Sequence, residues 1–121
     1  MSSHDAVLGV MHTYFDSIYT GNTEGLRAVF HAQAKVTDNV QGELRVRTAE
    51  EYILAVASRK SPHALGERQA MNAITIEVLD GVASVTARLE MLGQRYFNVL
   101  SLLQQGGRWV IVHKLFGHIA S

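Results

Sequence analysis

The feature that most constrains this chain is its second half. "AITIEVLDGVASVTARLEML" places Asp80-Gly81 between two runs whose apolar residues recur at every second position. Such a dipeptide between alternating segments is the signature of a two-residue hairpin. Gly93 punctuates before "QRYFNVLSLLQ", and Gly106-Gly107 turns that segment into "RWVIVHKLF". Four strands joined by turns this short must run antiparallel, because a parallel crossover needs far more chain. A sheet of this kind twists and has an apolar face to cover, so it requires helices from elsewhere in the sequence.

The first half supplies them. Val7, Leu8, Met11, Tyr14, Phe15 and Ile18 follow an i, i+3, i+4, i+7 spacing, which predicts a helix over 5–20 with one apolar face. Gly21-Asn22 ends it, and Asn22 or Thr23 can cap a short second helix bearing Leu26, Val29 and Phe30. The period then changes to two. Ala34, Val36 and Asp38 share one face of a strand, Lys35 and Thr37 the other. "NVQGE" turns that strand into "LRVR". Thr48, with Glu51 three residues later, makes a capping box for a third helix, closed by Arg59, Lys60 and Pro62. The expected fold is α+β, a curved antiparallel sheet packed on three N-terminal helices in a single domain over 1–121.

Composition narrows the function classes. Hydrophobic residues make up 47% and charged residues 18%, with one proline, which fits a globular domain. A net charge of zero provides no basic field for nucleic acid or an anionic membrane. No apolar run approaches a membrane span, and "MSSHDAV" lacks a basic stretch followed by an apolar one, so neither insertion nor a leader is expected. The absence of cysteine removes disulfides, thiolate nucleophiles and cysteine-ligated zinc, and a cytoplasmic location is expected. The six histidines have no ligand spacing backed by a carboxylate, and no nucleotide fingerprint is present. No metal or other cofactor is expected.

The last two strands carry a further message. Trp109, Ile111 and Leu115 lie on one parity, Val110, Val112 and Phe116 on the other. A strand with one wet face should alternate cleanly. Both faces are therefore expected to be covered, one by the helices and the other by a second copy in a homodimer formed through the sheet.

"YFDSIYTGNTEGLRAVFHAQAKV", "GELRVRTAEEYILAVASRKSP" and "YFNVLSLLQQGGRWVIVHKLF" together resemble the nuclear transport factor 2-like superfamily. Within it they are most similar to the putative lumazine-binding family, a neighbour of the SnoaL-like polyketide cyclases. The resemblance covers nearly the whole chain and implies a cone-shaped half-barrel (a cystatin-like fold) closed by helices around a pocket. The Δ5-3-ketosteroid isomerase branch aligns without a gap over 13–42. It implies an oxyanion-binding hydroxyl at Tyr14 and a general base at Asp38. Counting back from "LFG" at 115–117 implies that the branch's second oxyanion donor falls at Val99, which can donate nothing.

The residues have readings of their own. Asp38 either belongs to the turn chemistry of "DNVQG" or, being two residues beyond Val36, points into the concave side of the sheet. A carboxylate facing apolar walls loses hydration and becomes a stronger base. Tyr14, on the apolar face of the first helix, is either a core tyrosine with a polar partner or a donor to a ligand carbonyl. Phe30, Leu54, Val99, Val112 and Phe116 are expected as core residues that also form apolar cavity walls, with Ser101 facing the cavity. Lys114 shares parity with Val112 and Phe116, which the resemblance turns toward the pocket, where a lysine would hold an anionic group or rest at the rim. His113, sharing parity with Trp109, Ile111 and Leu115, is expected as a buried, hydrogen-bonded histidine of the sheet. The expected function is to bind a small apolar or aromatic molecule. The alternatives are a cofactor-independent isomerase, dehydratase or cyclase using Asp38 and Tyr14, and a protein-interaction subunit.

Overall fold

The computed structural model of the protein describes residues 2–120. Its elements are α1 (Ser3–Thr20), α2 (Thr23–Val29), β1 (Phe30–Val40), β2 (Glu43–Thr48), α3 (Ala49–Ser58), β3 (Ala70–Leu79), β4 (Val82–Met91), β5 (Gln94–Gln105) and β6 (Arg108–His118). Ser2 caps α1 by accepting from the Asp5 amide, and Gly21 ends it in the left-handed region at φ +75°. Asn22 caps α2, and the reciprocal Thr48–Glu51 box opens α3. Phe30 is not part of the second helix. It begins β1, because the backbone turns extended at this residue (ψ 135°).

The six strands form one sheet in the order β2-β1-β6-β5-β4-β3. Every neighbouring pair is antiparallel except β1 and β6, which run parallel. The sequence expectation of a wholly antiparallel sheet therefore holds within the hairpins and gives way at the join between the two halves. After β2 the chain passes through α3 to the far edge, and the returning meander lays its last strand beside its first.

The concave face of the sheet carries Val85, Ala87 and Leu89 from β4, Leu100 and Leu102 from β5, and Ile111 from β6, all buried. Val7, Met11, Tyr14, Phe15 and Ile18 of α1 are the buried helical face in the same core. Each large aliphatic side chain removed from water here contributes about 1.5–3 kcal/mol. Gly25 permits a close crossing of α1 and α2, since a Cβ there would stand 2.1 Å from the Ser17 hydroxyl.

A bulge decides which residues of β6 face inward. Ser101 pairs with His113 and Leu102 with Ile111, so Val112 has no partner. One extra residue shifts the alternation. Ile111 before the bulge and Lys114 after it are thus both buried on the concave side.

Candidate functional site

α1 fills one part of the concave face. Elsewhere, between α3, the β1–β2 hairpin and the ends of β4, β5 and β6, a cavity of about 430 Å³ remains. Leu89, Met91, Tyr96 and Phe116 give it apolar walls, but its chemistry is dominated by charge. Arg45, Arg47, Arg59 and Lys114 line it, and Asp38 is the one carboxylate among the described residues that does so.

The hairpin register sets the first part of the site. Val40 pairs with Glu43, so Asp38 falls opposite Arg45 and Val36 opposite Arg47. Asp38 is 8% exposed. Arg45 grips it with both nitrogens, Nε to Oδ1 at 2.9 Å and Nη2 to Oδ2 at 2.8 Å. This bidentate fork raises the Arg45 pKa above the ordinary guanidinium value. Arg47 Nη2 lies 4.0 Å from Oδ1. Burial, and then the charge of Arg45, lower the Arg47 pKa, with Asp38 opposing. The tight turn is served by Asn39, whose side chain accepts from the Gly42 amide at 2.7 Å. Asp38 therefore belongs to the strand, and its carboxylate is already committed to an ion pair.

Helix α3 adds Tyr52, and Arg59, the residue that caps its C-terminal end in an extended conformation, lines the same cavity. The Arg47 guanidinium stacks 5.4 Å from the Tyr52 ring centre. Three buried guanidinium nitrogens, Arg47 Nε and Arg59 Nε and Nη2, have no hydrogen-bond partner. A buried donor left without an acceptor costs about 1–3 kcal/mol, more when charged.

Lys114 is 2% exposed. Its Nζ meets the Tyr52 hydroxyl at 2.6 Å and lies 4.2, 4.9 and 5.1 Å from the ring centres of Tyr52, Phe116 and Tyr14. Each ring favours the ammonium by about 1 kcal/mol. Against this stand the cost of taking an ammonium out of water, of order several kcal/mol, and repulsion from the guanidiniums. The second group wins: burial, then Arg59 and Arg47, hold Lys114 well below the ordinary lysine range, with Asp38 opposing. Burial likewise pushes the Tyr52 phenol up to about 12, with Arg59 and Arg47 pulling the other way.

Tyr14 is fully buried, and its hydroxyl donates to Asn98 Oδ1 at 2.5 Å. Burial, then the neighbouring Tyr52, raise its pKa well above the usual phenol value. The hydroxyl is thus spent on Asn98, and it is Asn98 that lines the cavity.

The structure brings Asp38, Lys114 and Phe116 to the cavity and separates the other candidates. Leu54 is 55% exposed, since α3 buries Tyr52, Ile53 and Val56 instead. Val99 and Ser101 point to the convex side, because Asn98, Leu100 and Leu102 take the inward positions of β5. Val112 is the bulge residue and lines no cavity wall. Phe30 is a core residue, edge-on to Tyr14 and 6.0 Å from Tyr52 between ring centres, rather than a wall of this cavity. His113 bonds Thr37 Oγ1 through Nε2 at 3.0 Å. The walls are also more polar than expected.

Residues that sequence reasoning missed dominate the site: Arg45, Arg47, Tyr52, Arg59 and Asn98. A signal existed for four of them. Counting outward from the Gln41-Gly42 turn sets Asp38 against Arg45, and period two brings Arg47 to the same face. Two helical turns separate Tyr52 from Arg59 at the end of α3. Asn98 carries no comparable signal, because its direction depends on the register of β5.

Among solved structures, the chain is similar to a nuclear transport factor 2-like protein of unknown function from Silicibacter pomeroyi. Identity is 19%, coverage is 98% of this chain and 100% of that one, and the TM-score is 0.88. A second such protein, from Shewanella baltica, is 19% identical over 97% of this chain and 94% of its own, with a TM-score of 0.86. A third, from Methylobacillus flagellatus, is 21% identical over 99% and 96%, also at 0.86. These likenesses establish the fold. No curated protein matches the chain. The family described as "Putative lumazine-binding" matches residues 2–117, and the chain belongs to it.

Proposed function

We propose that the protein binds a small organic anion with a planar, partly apolar body in the cavity beneath α3. The observation that carries this reading is the set of three buried, unpartnered guanidinium nitrogens on Arg47 and Arg59, beside Lys114. A carboxylate or similar group placed there supplies the missing acceptors and offsets an excess of positive charge. Tyr96, Phe116, Leu89 and Met91 offer the apolar contact for the rest of the ligand. Lumazine, named in the family's description, is planar and rich in acceptor atoms, which suits the same donors.

The acid–base alternative has weaker support. Arg45 engages both oxygens of the supposed base, and the Tyr14 hydroxyl is turned to Asn98. An interaction module with a self-filled interior fits poorly with an open cavity of about 430 Å³. Homodimerisation through the convex face is part of the proposal. Leu44, Val46, Phe97 and Leu115 stand exposed there, a patch of the kind monomers avoid.

An NMR titration with benzoate, benzamide, benzylamine and lumazine tests the reading. Benzoate should shift the Asn98 and Tyr96 resonances, benzylamine should not, and Arg59→Gln should weaken benzoate by about tenfold. Equal response to the amine and the carboxylate would sink the proposal.

A further inference from the structure

We infer that Lys114 acts as an amine nucleophile, capturing the carbonyl group of a small oxo acid as an imine. The oxo acid's carboxylate end rests on the anion-binding reading above; the amine chemistry rests on Lys114 itself. The protein has three lysines, and two of them, Lys35 and Lys60, are exposed. An exposed lysine at neutral pH is a free amine only about one part in a thousand of the time. Lys114 is placed differently in every respect that matters. It is buried, it lines the cavity, and its one hydrogen-bond partner is a hydroxyl rather than a carboxylate. Asp38, the one carboxylate lining the cavity among the described residues, is gripped by Arg45. The groups facing Nζ are the rings of Tyr14, Tyr52 and Phe116 and the charges of Arg47, Arg59 and Asp38. Desolvation beside another cation is the standard means of turning a lysine into a nucleophile.

The step balances without an oxidant or reductant. The Nζ lone pair forms a bond to the carbonyl carbon while the C=O π pair moves to oxygen. A proton passes from nitrogen to that oxygen, giving a carbinolamine. Loss of the hydroxyl with the second nitrogen proton releases water and leaves C=N. The Tyr52 hydroxyl, 2.6 Å from Nζ, is the group positioned to relay these protons. A carboxylate next to the carbonyl would engage the free nitrogens of Arg47 and Arg59 and offset their charge as the imine forms.

The test is to incubate the wild-type protein with phenylpyruvate and cyanoborohydride near pH 7, then map reduced adducts by peptide mass spectrometry. The expected result is an adduct on Lys114 at least about tenfold above Lys35 and Lys60, in line with the scarcity of free amine on exposed lysines. Benzoate should suppress it, and Arg59→Gln should reduce it. Because the three lysines are compared within one wild-type sample, the outcome does not depend on a variant folding. Phenylpyruvate-induced NMR shifts without an adduct on Lys114 would overturn the imine and leave anion binding standing. Labelling of Lys114 by benzaldehyde but not by phenylpyruvate would overturn the oxo-acid assignment and, with it, the anion reading. Equal labelling of all three lysines would overturn the nucleophile.

Discussion

The two faces of the β2–β1–β6 half of the sheet invert the usual arrangement. Its concave side presents Arg45, Arg47, Asp38 and Lys114 to the cavity. Its convex side presents Val46, Thr37 and Leu115, which stand in register with Val99, Thr86 and Thr75 in a single row across all six strands. Charge inside and aliphatic carbon outside is a poor arrangement for stability alone. Buried charges are costly unless paired, and exposed aliphatic rows invite association. The difference teaches that burial alone does not account for either face, and it supports the proposed anion on the inner one and the proposed second copy on the outer one.

Mutations can break this contrast, starting with the largest effect. Leu100→Ala, on the apolar part of the concave face, should cost about 2–5 kcal/mol in urea unfolding. Its neighbour Val99→Ala, on the convex face, should cost less than about 1.5 kcal/mol, being half-buried. If the two proved equal, the assigned faces would be wrong. Asp38→Asn should cost about 1 kcal/mol, a figure kept low because its partner Arg45 is 43% exposed. The same change should tighten benzoate binding, since it removes the one negative charge opposing the anion; a base indispensable to function would lose activity instead.

Lys114→Met gives a pH signature. Burial holds the folded-state pKa of Lys114 well below the ordinary lysine value of 10.5, so the unfolded chain binds more protons between the two values. Wild-type stability should therefore rise with pH across that window, and the advantage of Lys114→Met should shrink as pH approaches 10. Denaturation midpoints at pH 7 and 9.5 would detect it, and a pH-independent difference would count against a desolvated amine. Leu115→Arg should leave the stability of the fold within about 1 kcal/mol, since Leu115 is 44% exposed. It should convert the proposed dimer to monomer in sedimentation; a wild type already monomeric would remove the need for a partner on this face.

The fold was legible because its signals are local. Asp80, Leu92, Gly93, Gly106 and Gly107 do adopt positive φ in the turns that close these hairpins. The capping box of α3 was equally visible, needing only Thr48 and Glu51. The site was less legible because it depends on register. Alternation assigns two faces to β6, yet an unpaired Val112 exchanges them midway, and no residue type announces a bulge here. Register likewise decides β5, where Asn98 and not its neighbour Val99 faces the cavity. Parity with Val36 leaves Asp38 open between the turn and the concave side, and its partner lies in a second strand that has to be counted into place.

The parallel seam between β1 and β6 has a kinetic consequence. The meander from β3 to β6 closes through two-residue turns, whereas pairing Phe30 with Ile111 or Thr37 with Leu115 must close a loop of about eighty residues. Contacts so distant along the chain bear a greater entropy of closure and form late. The C-terminal sheet and the β1–β2 hairpin should therefore be made first and the seam last. Since Asp38 and Arg47 stand on one side of that seam and Lys114 and Asn98 on the other, the cavity exists only once the last long-range contacts have formed. Native-state hydrogen exchange should find the β1–β6 amides opening ahead of those between β4 and β5. A ligand that bridges the two sides would then hold closed the join that completes the fold.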